Sequence, residues 1–360
     1  MKIYNLKSDH EKKIHLLNRE IREINLENKK KLGLAKKSID SLNNKLWEQG
    51  KKKMNDYEYI YTSSKIEKNI CSIIPVSRSF FKLHEIIKDF NMFDEKYPCA
   101  CIAEGPGGFI HCLNNNNSKK VYAITLISRN NRRVPYWNQT IINNKNNILS
   151  YGIDKTGDIY KLQNVDHFIE LIGKDYCHLI TADGGFDYSN DYNSQESLSY
   201  KLLYCEIFTA LNIQKNDGNF IIKFFDLFNY NTIQLIYILY TCYDKIIIYK
   251  PLTSRLSNSE KYILCIGYNG CSRNIIQLMR DNYSNPEKLL LDIPPPFIEE
   301  ISSYNNIYTY SQCSCINNII QMVKSDKLTD DKPRKEQINL AKKWCELYNL
   351  PINRKCIYLN

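Results

Sequence analysis

A short apolar run that ends in a carboxylate constrains the fold of this chain more than any other feature. Residues 178–181 are predicted to be a buried strand, and Ala182-Asp183-Gly184-Gly185-Phe186 follows directly. The two glycines predict a tight turn that leaves Asp183 at the carboxyl end of the strand. A second apolar run, residues 219–225, carries one lysine, Lys223. Ligands of open α/β sheets bind outside the carboxyl ends of strands, and a charge in a buried strand is costly unless it is paired. The sequence therefore predicts an α/β sheet with a functional site at this edge.

Strand and helix patterns alternate through the middle of the chain. A helix over residues 197–212 buries one apolar stripe, and a further helix begins near Tyr230. This alternation predicts a doubly wound, mostly parallel sheet. The last two strands are separated by a short loop and should be antiparallel neighbours, because a parallel crossover needs a dozen or more residues. The seven predicted strands cover residues 98–103, 121–127, 148–151, 178–181, 219–225, 245–250 and 261–266.

Helical extensions are predicted on both sides of this sheet domain. We expect three parts, with a helical, lysine-rich extension over residues 1–65, the sheet domain over 66–272 and a helical extension packed on it over 273–360. In the first extension Leu17, Ile21 and Ile24 recur at helical spacing. It is either a solvated helical cover or a basic arm for RNA, and we favour the cover.

Charge and cysteine content narrow the class of protein. The net charge of +10 suggests a polyanionic partner. The 13 cysteines are scattered and no secretory signal precedes them, which predicts free thiols in a reducing, intracellular compartment and no metal site. The most apolar stretch, residues 233–249, is interrupted by Gln234, Asp244 and Lys245. It indicates a core helix followed by a strand, so no membrane span is expected.

A glycine-rich turn follows the strand at residues 98–103. It reads Glu104-Gly105-Pro106-Gly107-Gly108-Phe109, and its three glycines predict a close approach of the backbone to a ligand before a helix begins. Such a turn is typical of nucleotide-type cofactor sites without specifying the cofactor. Residues 152–159 form a second loop that is either a polar turn or a contact for ribose or adenine. Upstream, Ser77 is a candidate helix cap, and Lys82 lies off the buried stripe of that helix.

These motifs together resemble the RrmJ/FtsJ-like ribose 2′-O-methyltransferases. The motifs SRSFFKLHEI, EGPGGF, the loop ending Gly157-Asp158-Ile159, ADGGF, IIKFFDLF and SRLSNSEKYILCIGY occur in the family's order over about residues 70 to 270. The resemblance is closest to the enzymes of eukaryotes and large DNA viruses that modify the first nucleotide of capped mRNA (cap-0 to cap-1). It implies a Rossmann-like, S-adenosylmethionine-dependent methyltransferase fold.

The resemblance also implies roles for individual residues. The family's Lys-Asp-Lys-Glu tetrad falls on Lys82, Asp183, Lys223 and Glu260. S-adenosylmethionine is implied in the turn, with no metal required. Glu104 departs from the alanine or glycine common before this turn, which puts the contacts to the methionine end in doubt. The implied cofactor contacts are Ser77, Ala103, Glu104, Gly105, Pro106, Gly107, Gly108, Phe109, Asp158 and Ile159.

The chemistry of methyl transfer accounts for a tetrad of this kind. The 2′-hydroxyl must be aligned, and its proton must be accepted. A lysine accepts a proton only when neutral, and its ordinary pKa is about 10.4. Burial and the Lys82 ammonium should lower the pKa of Lys223, whereas Asp183 and Glu260 should raise it. Neutrality near pH 8 would need a net drop of about 2 units, roughly 3 kcal/mol. We expect Lys223 to be the general base.

Several alternatives stay open. The same chemistry on ribosomal or transfer RNA is the nearest rival, and a non-catalytic RNA-binding capping subunit is a rival from another class. Capped mRNA is the expected partner, with other capping enzymes or RNA polymerase as further candidates. The compartment would be the cytoplasm or virion for a large DNA virus and the nucleus for a cellular protein. Tyr136 and Trp137 are candidates either for stacking on a base or for the core.

Overall fold

A mixed sheet flanked by helices forms the centre of the molecule. The computed structural model of the chain describes residues 3–7, 12–16, 23–128, 131, 134–173, 177–186, 191–325, 328 and 332–359. The helical spacing predicted at Leu17 and Ile21 lies outside the described residues. The strands are β1 (Ile3–Asn5), β2 (His15–Leu16), β3 (Cys99–Ile102), β4 (Val121–Ile124), β5 (Asn147–Ser150), β6 (Cys177–Ala182), β7 (Gln214–Phe224), β8 (Tyr243–Tyr249), β9 (Lys261–Tyr268) and β10 (Leu291–Asp292).

The main sheet runs in the order β1-β8-β9-β7-β6-β3-β4-β5. Strands β5, β4, β3, β6 and β7 are mutually parallel, whereas β9 is antiparallel to both β7 and β8. The predicted antiparallel pairing of the last two strands is confirmed, with Lys245 opposite Ile266. The doubly wound, mostly parallel sheet predicted from the sequence is therefore the observed fold.

The main sheet has an eighth strand that the sequence did not predict. Residues Ile3–Asn5 form β1, which pairs antiparallel with β8 and covers its otherwise open edge. Strand β2 of the same extension pairs with β10. The N-terminal extension contains helices, as predicted, and these two short strands are additional to that prediction. Strands of two or three residues carry no readable periodicity, and their partners lie more than 200 residues away.

Helices cover both faces of the sheet. Alternate residues of β3 show the two layers, because Cys99 and Cys101 face one hydrophobic core, and Ala100 and Ile102 face the other. Residues 233–249 fall in a buried helix and a buried strand, as predicted. The helices are α1 (Leu26–Ser38), α2 (Asn44–Met54), α3 (Ser79–Asp89), α4 (Gly108–Asn115), α5 (Gln139–Ile142), α6 (Leu162–Ile172), α7 (Gln195–Ile213), α8 (Tyr230–Cys242), α9 (Arg273–Asp281), α10 (Pro295–Lys324) and α11 (Lys335–Leu347).

The two extensions pack on each other. Helices α1 and α2 contact α10, with Leu32, Trp47 and Ile316 in one hydrophobic cluster. The contact is close at Gly50, where a Cβ atom would lie 2.5 Å from a methyl group of Ile319. A larger residue at this position would separate α2 from α10.

Buried ion pairs join the first extension to the sheet domain. Glu58 lies 3.1 Å from Arg78, which directly precedes α3, and 2.8 Å from Arg255 in the loop before β9. Burial alone would raise the pKa of Glu58, but the two guanidinium groups outweigh it and lower the pKa. This part of the extension thus braces two segments that carry predicted site residues. Within the described part of the chain, no helix is both long and apolar enough to span a membrane.

Candidate active site

The four predicted tetrad residues lie together at the carboxyl edge of the sheet. Nζ of Lys82 is 2.7 Å from a carboxylate oxygen of Glu260, and Nζ of Lys223 is 3.1 Å from Oδ1 of Asp183. Lys223 also donates to the backbone carbonyl of Asp183, at 2.8 Å. All four side chains are mostly buried. The site therefore consists of two ammonium–carboxylate pairs.

The register of three neighbouring strands brings these groups together. Strands β6 and β7 are parallel with Ala182 opposite Ile222, so Asp183 and Lys223 follow at the same height. Strand β9 runs antiparallel beside β7, and Glu260 directly precedes it. Lys82 reaches the same point from α3, which packs over this face. A single edge of the sheet thus carries all four groups.

The charges in this site shift the pKa values of two of its groups. Burial alone would raise the pKa of Glu260, but the ammonium groups of Lys82, Lys223 and Lys250 outweigh it and lower the pKa to about 2. Burial acts to lower the pKa of Lys223, but the carboxylates of Asp183, Glu260 and Glu206 outweigh burial and raise it above its ordinary value. The pKa of Lys223 is therefore shifted in the direction opposite to the drop considered from the sequence. Three carboxylates face Lys223, and sequence reasoning included only two of them.

Further side chains hold the tetrad in place. The hydroxyl of Tyr262 donates to Oδ1 of Asp183 at 2.9 Å, and the hydroxyl of Ser254 donates to Glu260 at 2.8 Å. Buried Lys250 donates to the backbone carbonyl of Glu260 at 2.6 Å, and burial lowers the pKa of Lys250 to about 7. Sequence reasoning missed all three. The sequence did contain a signal for Tyr262. Residues two apart on a strand face the same side, and Tyr262 is two residues after the predicted site residue Glu260.

A third carboxyl lies beneath the pair of Asp183 and Lys223. Glu206 of α7 accepts a hydrogen bond from the backbone N–H of Gly184, at 3.2 Å. It is fully buried, and burial raises its pKa to about 8, against the attraction of Lys223. The sequence offers no local signal for this role, since Glu206 reads as a polar position on an amphipathic helix.

The glycine-rich turn lies beside the tetrad, but its glycines serve local packing. Gly107 has a φ of +109°, and a Cβ atom there would lie 2.7 Å from Ile141. A Cβ atom on Gly108 would lie 2.1 Å from the hydroxyls of Ser77 and Ser79, and one on Gly105 would lie 2.6 Å from a backbone carbonyl. Protein atoms already occupy the space that these glycines leave open. The close approach of this turn to a ligand stays a prediction, and Gly105 lines the cavity described below.

Glu104 has an internal role at the start of α4. Its carboxyl accepts hydrogen bonds from the backbone N–H groups of Phe109 and Ile110, at 3.0 and 3.5 Å. Burial, followed by repulsion from Asp183, raises the pKa of Glu104 to about 8. Ser77 does not act as the predicted helix cap. Helix α3 begins at Ser79 without a side-chain cap, and the Ser77 hydroxyl bonds that of Ser79 instead.

A cavity of about 720 Å³ is lined by three residues of the tetrad, but not by Lys82, and by six of the predicted cofactor residues. This volume is in the range of small-molecule sites. Pro106, Gly107, Gly108 and Phe109 are outside its lining, and Phe109 is in the core. The predicted residues that line it are Ser77, Ala103, Glu104, Gly105, Asp158, Ile159, Asp183, Lys223 and Glu260.

Tyr136 and Trp137 separate into the two roles considered for them. Trp137 is 2% exposed and packs edge-to-face on Tyr151, with ring centroids 5.6 Å apart. Tyr136 is 53% exposed. Trp137 is therefore a core residue, whereas the Tyr136 ring is accessible to a ligand.

Comparison with known proteins places this architecture in a family. The family model for FtsJ-like methyltransferases matches residues 75–268, which include all four tetrad positions. Cap-specific mRNA (nucleoside-2′-O-)-methyltransferase 2 of Pongo abelii is 32% identical over 213 residues, covering 54% of this chain and 27% of the relative. Cap-specific mRNA (nucleoside-2′-O-)-methyltransferase 1 of Homo sapiens is 41% identical over 120 residues, covering 32% and 14%. The enzyme of that name from Trypanosoma brucei brucei is 27% identical over 215 residues, covering 56% and 58%. The matches thus span about a quarter or less of the two primate relatives and somewhat over half of the trypanosome protein.

Proposed function

This chain belongs to the FtsJ-like methyltransferase family, and we propose that it methylates the ribose 2′-hydroxyl of the first transcribed nucleotide of m7G-capped mRNA. One observation carries the proposal: Asp183, Lys223 and Glu260 line a cavity large enough for a nucleoside cofactor and an acceptor ribose, and Lys82, outside the lining, pairs with Glu260 at 2.7 Å. The reaction requires an aligned hydroxyl and an acceptor for its proton. The two ammonium–carboxylate pairs provide groups for both.

The methyl donor in this proposal is S-adenosylmethionine. The cavity suits it because its lining combines the Asp158 carboxylate, an acceptor for hydroxyl or amine donors, with Asp183, Lys223 and Glu260 of the tetrad. Ser77, Ala103, Gly105 and Ile159 would form the walls. The cofactor would supply an electrophilic methyl group on a sulfonium, whose positive charge would lower the pKa of a nearby ammonium.

Lys223 is the proposed proton acceptor. Its pKa is raised by the surrounding carboxylates, so it is an ammonium at neutral pH. Its neutral form would accept the 2′-hydroxyl proton on Nζ, while Asp183 fixes the direction of the amine through the 3.1 Å contact. Lys82, held by Glu260 at 2.7 Å, would donate to the acceptor nucleotide from the other side.

Capped mRNA is the substrate we favour over ribosomal or transfer RNA. The relatives described above carry cap-specific mRNA methyltransferase names. A non-catalytic role as an RNA-binding subunit is disfavoured by the paired tetrad, because four buried charged groups are costly to keep in place without a use.

A methyl-transfer assay tests the proposal. Wild-type protein is given labelled S-adenosylmethionine with m7G-capped, unmethylated G-capped or uncapped RNA of one sequence, and Lys223→Ala is the matched control. We expect 2′-O-methylation of the first nucleotide in m7G-capped RNA and little in uncapped RNA. Equal methylation of uncapped RNA, or of internal positions, would favour the ribosomal or transfer RNA alternative. Tight RNA binding without any methylation would favour the non-catalytic subunit.

Calorimetry tests the cofactor site separately. Asp158→Asn keeps an acceptor for the backbone N–H of Tyr160, which Asp158 bonds at 2.9 Å, but removes the negative charge. S-adenosylmethionine should bind this variant about tenfold or more weakly, because hydrogen bonds to charged groups contribute about 1.5–3 kcal/mol. Unchanged affinity would remove Asp158 from the cofactor site.

A further inference from the structure

A second cavity, of about 800 Å³, lies next to the candidate active site. Its lining includes residues that follow β4 and β5, at the edge of the sheet where ligands bind in open α/β folds, together with residues of β5 and α6. None of the predicted tetrad or cofactor residues lines it, whereas Tyr136, a candidate for base stacking, does. The lining consists of Ile127, Ser128, Tyr136, Ile148, Leu149, Ser150, Tyr151, Gly152, Lys155, His167 and Leu171.

Two tyrosines form an aromatic wall in this cavity. The side chains of Tyr136 and Tyr151 are hydrogen-bonded to each other, and Trp137 supports Tyr151 from the core. The Tyr136 ring is half exposed, yet its partner is fixed by packing. A wall of this kind offers a flat aromatic surface on which a base can stack at little cost in side-chain order.

The polar groups in the cavity suit a nucleotide. They are the ammonium of Lys155, the imidazole of His167, two serine hydroxyls and the two tyrosine hydroxyls, and no carboxylate is among the described residues of the lining. Three acids adjoin lining residues in sequence: Asp154 pairs with Lys161 at 2.6 Å, Asp166 pairs with Arg280 at 2.8 Å, and Glu170 is exposed. The charged and polar groups of the lining therefore favour a phosphate over a basic peptide.

The cavity is also adjacent to the candidate active site. Thr125, Leu126 and Pro135 line the cavity that contains the tetrad, whereas Ile127 and Tyr136, their neighbours in sequence, line this one. The two cavities therefore share one wall. An RNA chain whose ribose lies at Lys223 would need to cross only that shared wall to bring another of its bases to Tyr136.

We propose that this second cavity binds a base of the substrate RNA that follows the reacting nucleotide. The base would stack on Tyr136, and the phosphate of the same nucleotide would lie near Lys155. The site rests on the proposed function, because RNA supplies its ligand. This site would make a longer capped RNA bind more tightly than a capped dinucleotide.

The test uses short capped RNAs that carry a single 2-aminopurine base at successive positions after the first nucleotide. Stacking quenches 2-aminopurine fluorescence, so wild-type protein should quench one position most. Tyr136→Ala should lose this quenching and bind the RNA about tenfold more weakly, since base–aromatic stacking contributes about 1–3 kcal/mol per base. Tyr136→Phe should retain both. Tyr310→Ala, at a tyrosine that is 79% exposed on α10, is the matched control and should behave like wild type.

Methylation of a capped dinucleotide, measured in parallel, separates this inference from the proposed function. If that dinucleotide is methylated but Tyr136→Ala and Tyr310→Ala bind and quench alike, the RNA site is wrong while the enzymatic assignment stands. If Tyr136→Ala instead weakens S-adenosylmethionine binding, the cavity belongs to the cofactor site and the inference also fails. If Tyr136 controls RNA binding but no RNA is methylated, the site stands as an RNA contact and the proposed reaction fails.

Lys155→Ala should lower the slope of log affinity against log salt by about 1, as expected for one phosphate contact.

Discussion

The hydroxyl of Tyr262 donates a hydrogen bond to the same oxygen of Asp183 that contacts Lys223. The two distances are 2.9 Å from the hydroxyl and 3.1 Å from Nζ of Lys223. Tyr262 is opposite Lys223 in the β7–β9 ladder, so strand pairing fixes the relative positions of all three groups. The orientation of the Asp183 carboxylate, and with it the direction of the Lys223 amine, therefore depends on a residue outside the tetrad.

Removing this hydroxyl should slow the reaction without removing a tetrad member. Tyr262→Phe keeps the ring and its packing on Phe109, at 6.0 Å between centroids, but loses the O–H donor. We expect single-turnover methylation of capped RNA to fall about tenfold, because hydrogen bonds to charged groups contribute about 1.5–3 kcal/mol. Tyr268→Phe on the same strand is the control, since its hydroxyl bonds Leu211 instead. Equal rates in the two variants would show that Asp183 is held without Tyr262.

The fold and the tetrad could be predicted because their signals are local in sequence. The strand ending at Asp183 and the strand carrying Lys223 each show a clear apolar run, and the family resemblance connected them with Lys82 and Glu260. Glu206 could not be found in this way. It looks like a surface position of a helix, and only the packing of α7 against the sheet buries it beneath Gly184.

The raised pKa of Lys223 follows from that hidden carboxyl and from the geometry of the other two. Sequence reasoning can place charges near one another, but the balance between burial and attraction depends on distances of a few ångströms. The three-part division at residues 65 and 272 stays a prediction. The two extensions contact each other and the sheet domain. The boundaries predicted from the sequence therefore need not separate parts that fold independently.

Glu206 also predicts a dependence of stability on pH. Burial raises its pKa to about 8 in the folded protein, from about 4.3 in an unfolded chain. The folded state thus binds this proton more tightly, so the contribution to stability is full below about pH 4.3 and is lost as pH rises through 8. Glu206→Gln does not titrate and can still accept from Gly184. Relative to wild type, its free energy of unfolding should increase from pH 5 to pH 8, by up to a few kcal/mol.

Urea unfolding at both pH values measures this difference. Glu336→Gln, at an exposed position of α11, is the control and should not change the pH profile. Two other buried carboxyls, Glu104 and Glu196, also have pKa values raised to about 8, so the variant should flatten the wild-type profile only in part. An unchanged profile would mean that Glu206 is ionised in the folded protein, as a partner of Lys223.

The lysine-rich end of α2 should contribute only modestly to RNA binding. Lys51 pairs with Glu48, and Lys53 donates to the backbone carbonyl of Lys332 at 3.0 Å, so two of the three lysines have contacts within the protein. Replacing Lys51, Lys52 and Lys53 with glutamine should lower the affinity for capped RNA by less than about tenfold at moderate salt. Fluorescence anisotropy at several salt concentrations measures this.

A triple variant of exposed lysines in the C-terminal extension, Lys335, Lys343 and Lys355, is the matched control for net charge. If the α2 variant loses far more than tenfold while this control does not, the N-terminal extension is a specific RNA-binding arm. The preference for a structural cover would then be wrong.

Lys223 provides the decisive test of mechanism, because arginine at this position separates a base from a fixed cation. Lys223→Ala should lower single-turnover methylation by a hundredfold or more, since a general base contributes about 10²–10⁴. Lys223→Arg should be nearly as slow, because arginine keeps the positive charge but does not deprotonate in proteins. S-adenosylmethionine affinity, measured by calorimetry, should change little in either variant.

The pH profile gives an independent reading of the same residue. Since carboxylates raise the pKa of Lys223, the wild-type rate should increase with pH well into the alkaline range and flatten once the amine is neutral. Lys82→Ala removes a neighbouring cation and should move the inflection to higher pH, as well as slow the reaction. If Lys223→Arg kept most of the wild-type rate, Lys223 would serve as an orienting cation. The proton would then pass to water or to Asp183, whose carboxylate lies 3.1 Å from the amine.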